Sequence, residues 1–278
     1  MRNNQSRLGG APRPQSSSPA AAVSNLAFAS PTEFVELPSQ GEFYSEDHPL
    51  HKQETVEIRF MTAKDEDILS SQALLKKGLA INRLLESLLV LDVNPKSLLL
   101  GDKNAILIAA RVSGYGSDYA VTVDCPGCAS TNELDYDLGT AEITAECFNE
   151  KFLHENKITF NSVTATLDLV LPNSGVEIGL SLVDGYTEQE YSVGNKSSEN
   201  SVITSLLSSF ITKVNDATDF KSIIAFIESM PAKDSRFLRD LYPKLVPNVR
   251  LKHQFMCEQC FFSKEMEVPL TAAFFWPG

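Results

Sequence analysis

The chain has 278 residues, 43% of them hydrophobic, with 36 acidic against 24 basic side chains and a formal net charge of −12. That is enough apolar material for one large or two modest cores, and the acidic excess argues against a general nucleic-acid binder. There is no apolar run of about 18 residues to predict a transmembrane helix, no apolar signal core at the N-terminus, and five cysteines that suit a reducing cytosol better than a disulfide framework.

In chain order, residues 1–32 are rich in Asn, Gln, Ser, Ala and Pro, a composition that cannot bury enough apolar surface to offset chain entropy and predicts a disordered tail. From Glu33 the character changes. Phe34 to Pro38 reads as a short extended piece and Gln40 to Tyr44 as a turn into a loop. Glu54 to Phe60 alternates as a strand with Val56, Ile58 and Phe60 on one face. Thr62 and Asp65 have capping-box spacing and predict a helix through about Leu69, with Gly78 ending that helix or a second short one. Ile81, Leu84, Leu85, Leu88 and Leu89 recur at helical spacing. A further helix is expected from Asp102 to Val112, stopped by Gly114 and Gly116.

Alternating, strand-like runs then appear at Asp118–Val123 and Asn132–Leu138. Asp137–Asn156 is ambiguous. Lys157–Leu171 reads as a β-hairpin broken at Asn161-Ser162, and Val176–Leu182 as a further strand. Beyond a polar loop at Gly194–Asn200, residues 201–246 read as helical. Val202, Leu206, Phe210 and Val214 form one stripe there, and Phe220, Ile223, Ile224 and Ile227 another. Met230-Pro231 ends a helix and Asp234 begins the last. Val249–Phe255 and Ser263–Leu270 are the closing strands, and the chain's one tryptophan, Trp276, follows Phe274 and Phe275.

The features with the most chemical content are two cysteine knuckles, Cys125-Pro126-Gly127-Cys128 and Cys257-Glu258-Gln259-Cys260, each between two strand-like runs. Two thiolates from each fill a closed, tetrahedral Zn²⁺ site. Residues 129–256 intervene, 128 residues (256 − 129 + 1), where a simple zinc ribbon has roughly 15–20. The pattern therefore predicts a ribbon with a segment inserted between its halves. A redox dithiol competes for the same residues, but no strand-then-helix context follows either pair; an iron–sulfur role stays open. Four thiolates leave no coordination position for substrate, which argues for a structural ion. Cys147 reads as a small buried hydrophobe, and His253, four residues before Cys257, as a weak alternative ligand.

The run Leu37-Pro38-Ser39-Gln40-Gly41-Glu42-Phe43-Tyr44, followed by Val56 to Leu69 (VEIRFMTAKDEDIL), resembles the baseplate hub protein family of T-even-like contractile-tailed phages. So do Gly101 to Leu107 (GDKNAIL), Val112 to Gly116 (VSGYG), Asp234 to Arg239 (DSRFLR) and the terminal Phe275-Trp276-Pro277. The likeness is spread over residues 33–278. It implies a hub component or hub assembly factor that works by binding other phage tail proteins, located in the virion tail baseplate or in the host cytoplasm during assembly.

The residues themselves show no catalytic constellation: His48, His51, His154 and His253 lack metal or triad spacing. Gly114-Tyr115-Gly116 is a turn rather than a phosphate loop. Asp65-Glu66-Asp67 reads as a solvated helix start. Arg236 and Arg239, three apart on one helix face, are candidates for partner binding or for local pairing with Asp234 and Asp240. Phe274, Phe275 and Trp276 are candidates for a docking anchor or for plugs of the protein's own core.

The expected fold class is α+β, a split zinc-ribbon-like β element with an N-terminal helical part and an inserted β-hairpin plus helical segment. The expected divisions are residues 33–117, 118–140 (first half of the ribbon), 141–247 (insert) and 248–278 (second half and aromatic end). The expected function is a non-enzymatic baseplate role through protein contacts with structural zinc, without nucleic acid, membrane or small-molecule substrate. Two alternatives stand beside it: a nucleic-acid-binding zinc ribbon protein, which a basic patch would support, and a baseplate-associated hydrolase, which a pocket with convergent, perturbed carboxylates would support.

Overall fold

The structure, a computed structural model, describes residues 30–194, 202–268 and 272–275. The expected tail, residues 1–32, lies outside these but for its last three residues, as do most of the polar stretch after Gly194 and Trp276. Pro31–Gly278 forms one compact unit. It mixes helix and sheet, as the α+β expectation has it.

The unit opens with an antiparallel pair, β1 (Thr32–Glu36) and β2 (Thr55–Arg59), with Val35 opposite Val56 and both buried. Three helices follow: α1 (Ala63–Ser70), α2 (Gln72–Lys76) and α3 (Ala80–Leu88). Gly78 takes a left-handed backbone between the last two, with φ +66°. In α3 Leu84, Leu85 and Leu88 are fully buried, as their spacing predicts.

Helix α4 (Leu100–Tyr115) is the central element and is longer than expected. It runs through Gly114 and stops at Gly116, whose φ of +86° only glycine adopts easily. Gly101 in its first turn has no room for a side chain: a Cβ there would lie 1.9 Å from the Pro247 carbonyl oxygen. The helix thus packs directly on the strand β10 (Asn248–Arg250) that follows Pro247.

Two hairpins carry the cysteines. β3 (Asp118–Asp124) pairs with β4 (Thr131–Asp137), and β11 (Lys252–Met256) with β12 (Ser263–Glu267). In the first, every second residue faces inward: Tyr119, Val121 and Val123 on β3, Asn132, Leu134 and Tyr136 on β4. The outward positions include Asp118, Asp124, Glu133, Asp135 and Asp137, with Asp118 directly opposite Asp137. The closing strand expected over Val249–Phe255 is two strands. Asn248–Arg250 pairs with β5 (Glu142–Thr144), and the chain changes partner at the buried Leu251 before β11 begins.

Beyond the short α5 (Glu150–Glu155) lies a four-stranded antiparallel sheet, β6 (Ile158–Asn161), β7 (Thr166–Val170), β8 (Glu177–Leu180) and β9 (Ile211–Val214), in that order. Strand β9 corrects the expectation of helix throughout 201–246. Val202, Leu206, Phe210 and Val214 have helical spacing, but α7 (Val202–Ser208) ends before Phe210. The run Ile211-Thr212-Lys213-Val214, β-branched but for Lys213, then fills the open edge of β8, with Lys213 paired to Glu177 at 2.9 Å. Helix α6 (Gly185–Gly194) precedes α7; α8 (Phe220–Ser229) and α9 (Ala232–Leu245) return the chain to β10. The Tyr242 ring of α9 stacks on Phe210 at 3.9 Å, and its hydroxyl donates to the Ser181 carbonyl.

A candidate metal centre

The two knuckles have the same backbone construction. In the first, the Cys125 N–H donates to the Ser130 carbonyl (2.8 Å) and the Ala129 N–H to the Cys125 carbonyl (2.8 Å). In the second, the Cys257 N–H donates to the Phe262 carbonyl (2.9 Å) and the Phe261 N–H to the Cys257 carbonyl (3.0 Å). Ala129 and Phe261 occupy the same left-handed position, with φ of 56° and 58°. Each loop also turns a backbone N–H onto its first sulfur: Gly127 onto Cys125 Sγ at 3.3 Å and Gln259 onto Cys257 Sγ at 3.4 Å. Gly127 matters for approach rather than for turning, because a Cβ on it would meet Phe262 at 3.3 Å and Cys260 Sγ at 3.4 Å.

The chain folds so that the two hairpin tips meet. All four sulfurs lie within 4.8 Å of one another. The cross-knuckle separations are 3.6 Å for Cys125–Cys260 and 3.7 Å for Cys128–Cys257. A tetrahedron of sulfurs about 2.3 Å from a central ion has edges of about 3.8 Å, whereas a disulfide would bring two sulfurs to about 2.05 Å. The cysteines are free thiols spaced as ligands. In each knuckle the first cysteine is buried and the second exposed, so the cluster is walled on one side and open on the other. These four residues could hold a metal ion.

The surroundings favour thiolate at two of the four sulfurs. The Ser130 hydroxyl lies 3.1 Å from Cys128 Sγ and 3.3 Å from Cys257 Sγ. Ser130, then the backbone N–H groups of the knuckle, pull the Cys257 thiol down to about 5, and Ser130 also lowers Cys128. Cys260 receives a lowering hydrogen bond from the Phe262 N–H, but the contact with Cys128, burial and the other two sulfurs together outweigh it and push the thiol up to about 12. Four close sulfurs cannot all ionise without a cation among them, and an ion held there would supply that charge.

The remaining candidates fall elsewhere. His253 points at Tyr136, ring centroids 6.3 Å apart in an edge-on contact, and is not among the clustered ligands. Cys147 is buried, and burial pushes its thiol up to about 12. Arg236 and Arg239 are exposed on α9; Arg236 reaches Asp240 at 3.7 Å and Arg239 Nε donates to the Ser235 carbonyl. Asp234 is fully buried, so it is not their partner.

Phe274 and Phe275, candidates for a docking anchor or for plugs of the protein's own core, are buried. They are 3% and 5% exposed, Phe274 packs edge-on against Tyr119 (5.3 Å) and Phe275 against Phe274 (5.0 Å). The Phe274 carbonyl accepts from Nε of the buried Arg111 at 2.8 Å. The other two guanidinium nitrogens of Arg111 donate to the carbonyls of Gly116 and Asp118. One arginine thus ties the C-terminal end to α4 and to the first cysteine hairpin.

The motifs Leu37–Tyr44 and Gly101–Leu107 meet in a buried network that their spacing does not announce. Asp102 is fully buried and accepts from the Ser39 N–H (2.9 Å), the Ser39 hydroxyl (2.5 Å) and the Tyr44 hydroxyl (2.8 Å). Burial outweighs these three donors and holds its carboxyl above the usual range. Asp65, expected as solvated, is also fully buried. Arg59 grips it with two hydrogen bonds of 2.7 and 2.8 Å, and the Thr62 N–H adds a third. Burial pushes that carboxyl up, but Arg59 and Thr62 prevail and hold it well below the usual carboxylate range. Asp234 accepts from the N–H groups of Asn173 and Ser174, both at 2.9 Å, and so fixes the β7–β8 turn.

The family described as T4 bacteriophage base plate protein matches residues 31–276. The chain belongs to this family. The match spans both cysteine hairpins and every motif in which Asp65, Asp102 and Asp234 stand. No curated protein and no solved structure matches the chain. Among the described residues of this base plate family member, no helix is long and apolar enough to cross a membrane.

Proposed function

We propose that the chain is a component or assembly factor of the hub of a contractile-tail base plate, working through contacts with other hub or tail proteins rather than by catalysis. In this reading Cys125, Cys128, Cys257 and Cys260 hold one structural Zn²⁺. The hairpins over 118–140 and 248–278 are then the halves of a split zinc ribbon, 33–117 a helical part before it, and 141–247 an insert. The protein acts in the virion tail or in the host cytoplasm during assembly, without nucleic acid, membrane or small-molecule substrate. Membership of the base plate family over residues 31–276 carries the reading.

Three features support it. Four thiolates complete a zinc coordination shell, leaving no position for a reacting group. The buried carboxylates with displaced titration, Asp65 and Asp102, are spent on internal hydrogen bonds. Neither lines the cleft between the Phe43–Glu46 loop and the Ser162–Ala165 turn. The outer face of the first hairpin is acidic, which repels a phosphate backbone.

Elemental analysis of protein purified without chelator should give one zinc per chain, and a metal-free, fully folded protein would remove the zinc. Capture of tail proteins from infected-cell lysate, with mass spectrometry of purified virions, tests the contact role and separates a resident component from a factor that leaves. The exposed pair Arg236 and Arg239 is the contact face in this reading. The double alanine variant should lose captured tail protein while keeping its fold. Trp276 joins the same test as Trp276→Ala.

A further inference from the structure

We infer that Ser130 and Asn132 are the positioning residues of the metal centre: together they hold both knuckles in register and orient one hydroxyl proton onto the sulfurs. The inference rests on the metal reading of the four cysteines and adds two residues outside the ligand set.

Asn132 stands at an inward position of β4, in line with Leu134 and Tyr136, where the strand's alternation calls for an apolar side chain. It is 9% exposed, so each of its polar atoms needs a partner. All of its side-chain bonds go to the knuckles. Its Nδ2 donates to the Ser130 carbonyl at 2.8 Å and to the Ser130 hydroxyl oxygen at 3.3 Å. Its Oδ1 accepts the Glu258 N–H of the other knuckle at 3.3 Å. Residues 126 apart in the chain are joined by this one amide.

Ser130 takes the tie to the sulfurs. Its hydroxyl sits between one ligand of each knuckle, Cys128 and Cys257. With the oxygen accepting from Asn132, the single hydroxyl proton is left to point at sulfur. The corresponding position in the second knuckle is Phe262, two residues after Cys260 as Ser130 is after Cys128, and its side chain has no donor to offer. One hydroxyl therefore serves both halves. A four-thiolate centre around a divalent ion carries a net charge of −2, and O–H and N–H donors to sulfur are what spread that charge. Side chains in this role set how tightly a soft divalent cation is held, and their loss costs about 10–100-fold in affinity.

Co²⁺ is the probe, because its thiolate charge-transfer and ligand-field bands report the sulfur environment. The full chain, stripped of metal under reducing conditions, is titrated with Co²⁺, and Zn²⁺ affinity is then read by competition against a chromophoric chelator. Ser130→Ala and Asn132→Ala should each bind one ion with four-sulfur bands, but about 10–100-fold more weakly, with the charge-transfer band of Ser130→Ala shifted. Ser130→Thr, which keeps the hydroxyl, should restore both affinity and band. Equal affinity and an unshifted band in Ser130→Ala, beside a wild type that binds Co²⁺, would overturn this inference alone. A Ser130→Thr as weak as Ser130→Ala would overturn it too, by showing that the residue acts through packing. Wild-type protein that takes up no Co²⁺ removes the metal reading and this inference together.

Discussion

Two regions of this molecule pin distant chain segments by different means. At the hairpin end, segments separated by residues 129–256 are brought together by four sulfurs and the Asn132 amide. Around α1, α4 and α9 the clamps are fully buried carboxylates, Asp65, Asp102 and Asp234, each holding hydroxyl, guanidinium or backbone N–H donors. The carboxylate clamps are complete as soon as the chain folds. The sulfur clamp concentrates ionisable groups that repel one another until a cation joins them. One end of the fold is therefore self-sufficient, and in the proposed reading the other is completed by an ion.

The sharpest way to break that comparison is to deprive the hairpins of metal. Structural zinc binding is worth on the order of 10 kcal/mol in small domains, so chelation or Cys257→Ser should have the largest effect. Hydrogen exchange should show protection lost over β3, β4, β11 and β12 and kept through α4. Uniform loss across the chain would show that the two regions are not separable.

Next in size is Asp102→Ala. It strands the buried Ser39 N–H and the Ser39 and Tyr44 hydroxyls, at about 1–3 kcal/mol for each unsatisfied group. Urea unfolding should place the loss at about 3–5 kcal/mol, with metal content unchanged.

Asp65 separates the two kinds of clamp by pH. Its folded carboxyl is depressed, so its contribution is fully present above the ordinary carboxylate range and is lost as pH falls below that range toward the folded value. Asp65→Asn should cost about 3 kcal/mol at pH 7, as breaking a buried ion pair does, and should flatten the acid limb of the stability curve. An acid limb identical to wild type would mean that Arg59 holds nothing of consequence there.

The smallest expected effect is a gain. Asp118 lies directly opposite Asp137 on the outer face of the first hairpin. Replacing it by Lys turns a like-charge pair into an opposite one, worth about 0.5 kcal/mol in thermal or urea unfolding, and the gain should shrink in high salt.

Much of the local structure is legible along the chain. Leu84, Leu85 and Leu88 recur as a helix face must, and the alternation around the first knuckle gives its hairpin to within a residue, while the hairpin at the second is shorter than the alternation suggests. Ile211–Val214 was not legible, because four apolar residues at helical spacing look alike whether or not a sheet edge stands ready to take the last of them. Asp65 was misread for a related reason: among acidic neighbours it looks solvated until Arg59 is seen beside it.

The sequence by itself marked the four cysteines as a candidate ligand set, since CxxC spacing confines two sulfurs to one knuckle whatever surrounds it, and it determined most of the segments that alternate or wind. Only the tertiary structure decided that the two knuckles meet, that Asn132 in a core position bridges them, that Arg111 draws Phe274 and Phe275 inside, and that three aspartates are clamps rather than surface. Those outcomes depend on partners more than 50 residues away in the chain for Asp102, Asp234, Asn132 and Arg111. Local spacing carries no record of them, because a hydrogen bond is set by proximity in space and not along the chain.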